Sequence, residues 1–267
     1  MSIALVKMID FHNHVLPNVD DGSTSFDMSI EMLSEASKQG ITEVVNTVHY
    51  QNPKFDEKDF DIDKINRLKN ELENELEIKG IPIKLHLGAE VFYFPNLIKI
   101  LDNPLVTIGK GKYMLIEFHP QLIPKSHKQQ LFDLKMAGVT PIIAHPERYK
   151  DVHKDISIVK MWLEAGCIIQ MDAGSILGKM GKSAYDISVK ILKNSWCQIL
   201  GSDAHNDRNR NFMLKDAYLV AEKIVGREAI LLIQDNPKKI IDGSPIHFEI
   251  KDKEVNSKSY FWKRFIT

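Results

Sequence analysis

Seven times along this 267-residue chain, a short apolar run of strand length gives way to a polar residue of a kind that binds metal or sits in active sites. The runs cover Lys7 to Phe11, Glu43 to Val48, Ile83 to Ala89, Tyr113 to Phe118, Thr140 to Ala144, Cys167 to Met171 and Cys197 to Gly201. Their β-branched content and short length predict strands. They finish at Asp10-Phe11-His12-Asn13-His14, His49, Glu90, Glu117, His145, Asp172 and Asp203-Ala204-His205. A core needs apolar residues, so a His, Asp or Glu at the end of every strand points to one shared site at the C-terminal rim of a barrel.

Helical patterns fill the intervals. Ser25 to Gln39 carries Met28, Met32, Leu33 and Ala36 at helical spacing and stops at Gly40. The charged segment Asp59 to Lys79 places most of Ile62, Ile65, Leu68, Leu72, Leu76 and Ile78 on one face. Lys125 to Ala137, Ile156 to Ala165, Ser183 to Asn194 and Leu214 to Val225 follow, with a short piece from Lys238 to Ile241 after Asn236-Pro237. Alternating strands and helices imply a parallel sheet, and seven units suffice to close it. The expected fold is therefore of the α/β class, a distorted (β/α)7 barrel, with an open doubly wound sheet as the competing arrangement. The barrel is expected over residues 1–243 as one domain. Residues 244–267 form a tail ending in Tyr260-Phe261-Trp262-Lys263-Arg264-Phe265-Ile266, expected to pack back on the barrel, with a membrane surface or a partner as the alternative.

Composition narrows the function classes. With 43% hydrophobic and 27% charged residues the chain can bury a sizeable core, and 35 basic against 36 acidic residues leave a net charge of -1. No overall field draws it to nucleic acid or anionic membrane, so an anionic substrate must be recognised locally. Two cysteines, Cys167 and Cys197, both at strand starts, read as small buried thiols and not as a disulfide framework. The apolar start of the chain is too short for a signal peptide or membrane span, which makes the cytoplasm the expected compartment.

His12 and His14, two apart on a strand, share a face with Asp10, which is expected to support them or to ligate weakly. His49, Glu90, Glu117, His145, Asp203 and His205 join them at the rim, whereas His86, His119, His127, His153 and His247 lack that setting. These five read as packing or surface residues, with His119 close enough to Glu117 to support it. Imidazoles and carboxylates without thiolates argue for catalytic ions over a structural zinc. If Glu90, Glu117, Asp203 and one of Asp20 or Asp21 are ionised ligands, three divalent ions leave the site at about +2, which suits a phosphate dianion. Arg148 and Arg210 each follow a ligand strand, with Arg208 nearby, and guanidinium forks match phosphate oxygens.

Asp10-Phe11-His12-Asn13-His14, Asp20-Asp21-Gly22, Thr47-Val48-His49, Gly88-Ala89-Glu90, Leu115-Ile116-Glu117-Phe118, Ile143-Ala144-His145-Pro146-Glu147-Arg148-Tyr149, Ser202-Asp203-Ala204-His205-Asn206 and Asp235-Asn236-Pro237 together resemble the polymerase and histidinol phosphatase superfamily. More narrowly, the chain resembles the manganese-dependent bacterial protein-tyrosine phosphatases that regulate capsule and exopolysaccharide synthesis. The likeness runs in order over roughly residues 8 to 242. It implies a trinuclear centre, usually of manganese, with iron, zinc or magnesium as alternatives. One ion would use His12, His14, Glu90 and Asp203, a second Glu90, Glu117 and His145, and a third His49, His205 and a residue of the Asp20-Asp21 turn. Many superfamily members have a histidine in that turn, where this chain has aspartates. Arg148 and Arg210 match the family's phosphate-contacting arginines.

The resemblance implies hydrolysis of phosphotyrosine by a metal-activated hydroxide, on the tyrosine-rich tail of a polysaccharide-assembly kinase. A phosphoesterase acting on a small metabolite such as histidinol phosphate is the first alternative, and a non-catalytic metal-stabilised binding module the second. A cysteine-based phosphatase is excluded, because the arginine it needs six residues after its nucleophile is absent: those positions hold Ala173 and Asp203. No Gly-rich phosphate loop followed by Lys-Ser or Lys-Thr occurs.

Overall fold

The computed structural model describes residues 7–55 and 60–250. Seven strands, β1 (Met8–Asn13), β2 (Ile41–Tyr50), β3 (Lys84–Phe92), β4 (Tyr113–Glu117), β5 (Thr140–Ala144), β6 (Ile168–Asp172) and β7 (Ile199–Gly201), lie side by side in chain order. Every adjacent pair is parallel. Just beyond β7 the sheet meets its own beginning: Asn13 bridges Ala204 in parallel, the His14 N–H donates to the Ala204 carbonyl at 2.8 Å, and the Asp203 N–H to the His12 carbonyl at 2.7 Å. The sheet is thus a nearly closed barrel, and the open doubly wound alternative does not hold.

Two hydrophobic clusters follow from this shape. Phe11, Val45, Leu115, Ile142, Ala144, Ile168 and Ile199, drawn from six strands, meet in one inner cluster with Ile108 and Ile240. The third strand contributes Gly88, where a Cβ would stand 2.8 Å from Ile108 Cγ1, so the loop side chain fills the space that β3 leaves. The larger cluster packs the outer face of the strands against the helices. Its helical members include Met32, Leu33 and Ala36 of α1 (Phe26–Gln39) and Ile65, Leu72 and Leu76 of α2 (Ile62–Ile78). The α1 helix opens as its sequence predicts: Ser25 accepts the Met28 N–H and the chain leaves through Gly40 at φ 91°.

Later helices are α3 (His127–Met136), α4 (Lys150–Lys154), α5 (Ser157–Glu164), α6 (Ala173–Ile176), α7 (Lys182–Lys193), α8 (Leu214–Val225) and α9 (Arg227–Ile241). Four differences from expectation have physical reasons. The expected start of the second helix at Asp59 lies outside the described residues, and the helix begins at Ile62, capped by Asp61. No α-helix joins β3 to β4; two 3₁₀ turns, Leu97–Ile100 and Pro104–Val106, make the crossing. The short piece from Lys238 is the end of a longer helix, α9, which runs through Pro237 in its C-terminal part, while Asn236 donates its side-chain amide to the Gln198 carbonyl at 2.8 Å. Strands β1, β2 and β3 extend past their apolar runs, so His12, His49 and Glu90 lie within strands and not after them. Of the tail, Ile246 and Phe248 pack under the inner cluster and the Ser244 carbonyl accepts the Tyr113 hydroxyl. The aromatic end from Tyr260 lies outside the described residues.

Candidate metal centre

Strand register brings the rim residues into contact. His49 of β2 pairs directly with Glu90 of β3, and Glu117 of β4 pairs with Phe92, two residues beyond Glu90. The polypeptide then turns sharply at two further rim residues, His145 (φ 32°) and Asp203 (φ 48°), left-handed conformations that cost of order 1–3 kcal/mol for residues with a side chain. The Asp203 N–H bond to β1 holds one of these turns, and Tyr149 braces the other: its hydroxyl donates to the Ala144 carbonyl at 2.6 Å and accepts the Phe118 N–H at 3.0 Å.

Glu90 sits at the middle. Its Oε2 lies 3.2 Å from His12 Nε2, 3.4 Å from His14 Nε2 and 3.2 Å from His49 Nδ1, and its Oε1 lies 2.9 Å from His145 Nε2. Asp203 Oδ1 is 3.5 Å from Nε2 of both His12 and His14. His145 Nε2 is 3.9 Å from Glu117. His49 and His205 both face Asp21 Oδ1 at 3.3 Å. All ten ligand-type residues expected from the sequence converge, but Asp20 and Asp21 separate: Asp20 Oδ2 takes His14 Nδ1 at 2.8 Å and the His49 N–H at 3.2 Å, on the far side of His14 from Glu90.

Ring orientations follow from such outer contacts. His12 Nδ1 meets Gln170 Oε1 at 3.0 Å, and the Gln170 amide is itself oriented because its Nε2 donates to the Met171 carbonyl at 2.9 Å. His205 Nδ1 donates to the Asp203 carbonyl at 2.8 Å. His12, His14 and His205 are thereby held with Nε2 turned inward, as metal ligation requires. Gln170 was not singled out from the sequence; a polar residue inside the strand Cys167 to Met171 was its only signal. Asp10 accepts the His12 and Ser202 N–H groups and the Asn13 amide, a supporting place beneath the site.

Electrostatics mark the cluster as short of positive charge. Burial disfavours the imidazolium of His12, yet Glu90 and Asp203 outweigh it and lift its pKa to about 9. Burial and the neighbouring Glu90 push Glu117 up to about 8. Burial and Arg148 push His145 down to about 4. A cation would relieve the crowding of the carboxylates. Among the described residues, four groups offer ligand atoms within 4.8 Å of one another: His14, Asp21, His49 and His205; His12, Glu90 and His145; His12, His14 and Asp203; and His49, Glu90 and Glu117. Ions held at roughly 2.1 Å from each ligand need ligand atoms about 3–4.2 Å apart, so the donors fit several shared ions.

Two arginines close one side. Arg148 and Arg210 both donate to Asp203 Oδ2, the latter at 2.6 Å, and both are partly exposed. Asp172 lies 3.9 Å from Arg148 while it caps α6 through the Gly174 N–H. Arg208 is turned out to solvent beside Asp207. Of the other histidines, His86 pairs with Glu43, His127 bonds the Pro124 carbonyl and His153 the Glu147 carbonyl, while His247 is exposed. His119 is exposed and accepts the Gln121 N–H. Both cysteines are free and buried.

CapC of Staphylococcus aureus is 31% identical over 255 residues, covering 95% of this chain and 99% of its own. The tyrosine-protein phosphatase YwqE of Bacillus subtilis is 30% identical over 240 residues, 90% of this chain and 93% of its own. A chain from the crystal structures of YwqE and of CpsB from Streptococcus pneumoniae, described there as unique metal-dependent tyrosine phosphatases, superposes with a TM-score of 0.84 at 29% identity, covering 90% of this chain and 96% of that one. The family model for capsular polysaccharide synthesis, CpsB/CapC, matches residues 8–242, nearly the whole barrel, and the chain belongs to that family.

Proposed function

We propose that this chain is a metal-dependent protein-tyrosine phosphatase whose site is the rim of the barrel, with residues 1–243 as its catalytic domain. The observation that carries this reading is Glu90, which faces four imidazoles beside an Asp203 that two arginines share. The tyrosine phosphatases YwqE and CpsB, similar over nearly the whole chain, support it.

In this reading His12, His14, Glu90 and Asp203 hold one ion and Glu90, Glu117 and His145 a second. His49, His205 and Asp21 hold a third, while Asp20 orients His14 and is not a ligand; manganese is the proposed metal. Bound ions would supply Lewis acidity and an acidified water. The protein's own side chains do the rest. Arg148 and Arg210 exchange their shared contact with Asp203 Oδ2 for the phosphoryl oxygens, where their charge opposes the charge that develops in the transition state. Gln170, Asp20 and the Asp203 carbonyl keep three imidazoles from rotating. A tyrosine leaving group, with a phenol pKa of about 10, departs with less protonation than an alkoxide.

The proposed substrate is a phosphotyrosine protein, the tyrosine-rich tail of a kinase of polysaccharide assembly, and the proposed compartment is the cytoplasm. Two free buried cysteines fit a reducing compartment, and no helix among the described residues is long and apolar enough to cross a membrane. The deciding experiment offers the manganese-loaded protein a phosphotyrosine peptide and histidinol phosphate. Phosphate release from the peptide is expected, with a fall of about 10²–10³-fold in Asp203→Asn or His145→Ala. Turnover of histidinol phosphate alone, or full activity in both variants, would overturn the reading.

A further inference from the structure

Two phenylalanines at the mouth of the site are half-buried, yet neither is among the partly buried side chains packed against the two hydrophobic clusters of the described residues. Phe55 lies on the imidazole of His49, with ring centroids 5.4 Å apart and planes inclined by 20°. Phe92 is the last residue of β3, two beyond Glu90 and therefore on the same face, and it pairs in register with Glu117. Among the described residues, packing on the two hydrophobic clusters does not account for these partly exposed rings beside ligand-type residues.

The turn that carries Phe55 is tied to the site. Asn52, itself buried, donates its side-chain amide to Glu117 Oε2 at 3.3 Å, accepts the Lys54 N–H at its side-chain oxygen at 3.1 Å, and accepts the Phe55 N–H at its backbone carbonyl at 3.0 Å. The turn that sets the position of Phe55 is thus tied through Asn52 to the Glu117 carboxylate. The other aromatic rings near the rim are engaged: Tyr93 is buried with its hydroxyl on Ser126 Oγ at 2.9 Å, and Tyr149 is buried as the brace between β4 and β5.

We propose that Phe55 and Phe92 are the specificity-determining residues of the site, two apolar walls that hold the phenyl ring of an aryl phosphate monoester. This rests on the phosphatase reading above. The ring of a phosphotyrosine is joined to phosphorus through a single oxygen, so it must lie close to the ligands that hold the phosphate, and these two side chains accompany two of them, His49 and Glu117. Offset or edge contacts between rings favour an aryl ester, while an alkyl ester of the same charge gains little. The metals and arginines would then select phosphate, and the phenylalanines what the phosphate is attached to.

Calorimetric binding of phenylphosphonate and methylphosphonate to the manganese-loaded full chain tests this without requiring turnover. Wild type should bind the phenyl compound more tightly, and the Phe55→Ala/Phe92→Ala double variant should lower the ratio of the two affinities by roughly tenfold. Phe55→Leu and Phe92→Leu keep apolar volume in place and should each lower the ratio severalfold, which decides the matter if the double variant does not fold. An unchanged ratio, with both phosphonates weakened in proportion or neither affected, would overturn the proposal. A wild-type protein that binds both phosphonates but releases no phosphate from a phosphotyrosine peptide would instead refute the phosphatase reading and leave the ratio interpretable.

Discussion

Asp203 has two oxygens, and each faces a different chemistry: Oδ1 the imidazoles of His12 and His14, Oδ2 the guanidinium groups of Arg148 and Arg210. Burial works against its charge, but His205, His12 and Arg148 hold its pKa well below the usual carboxylate range. Glu147 is the opposite case. It is completely buried, its Oε1 accepts the Asp172 N–H at 2.9 Å, and its Oε2 has no partner among the described residues. Burial, with Asp172 nearby, raises its pKa to about 8. Its folded-state pKa lies above the unfolded value, so the folded state binds the proton more tightly; this stabilisation is intact below about pH 4.5 and is lost as pH rises through about 8. Glu147→Gln removes the ionisable group and should raise stability on the order of 2–4 kcal/mol more at pH 9 than at pH 5. Denaturant unfolding at the two pH values checks this, and equal effects at both would show that folding does not raise the Glu147 pKa.

At the scale of elements, the seam between β7 and β1 is the least forgiving part of the barrel. A Cβ on Gly201 would stand 2.6 Å from His12 Cβ and 3.1 Å from the His12 nitrogen. Gly22 is similar: its Cβ would come within 2.4 Å of His14 Cβ, so the Asp20–Gly22 turn can lie against His14 only with glycine there. Both glycines serve close approach, and each sits against one histidine of the His12-His14 pair. Gly201→Ala should therefore cost about 1–3 kcal/mol and weaken manganese binding by displacing His12. Thermal denaturation and metal titration would reveal it; a variant with wild-type metal affinity would mean that the seam yields without moving the ligand. The tight packing of this seam was not legible in the strand pattern, because a period-two apolar run shows which face is inside and not how near the neighbouring strand comes. The existence and order of all seven strands were legible, since each is a short β-branched run between turn signals. Their ends were less so: β1, β2 and β3 continue into polar residues that satisfy backbone hydrogen bonds of the sheet while pointing to the site.

Over the whole molecule, the charge cluster at the rim and the apolar interior beneath it impose opposite demands. The barrel buries His12, His14, Glu90, His145, Asp203 and His205, and each buried charge without a partner costs stability. Bound divalent ions should offset that cost, and any ligand that binds only the folded state raises its stability by mass action. Removing metal with a chelator should lower the melting temperature, and manganese at 100 times its Kd should restore about 2.7 kcal/mol; a melting temperature indifferent to manganese would argue against the proposed centre. The sequence by itself determined the strand and helix order, the parallel sheet and the residue types at its rim, because periodicity and strand length are local properties of the chain. Which of those residues meet was decided only in three dimensions. Asp20 and Asp21 are neighbours in sequence, yet one turns to the back of His14 and the other to His49 and His205. Gln170 reaches His12 from 158 residues away, and Phe55 comes to the mouth from the turn after β2 while Phe92 comes from the end of β3. Contacts of that kind depend on barrel closure and on the register of strands far apart in the chain, and these exist only once the barrel has formed.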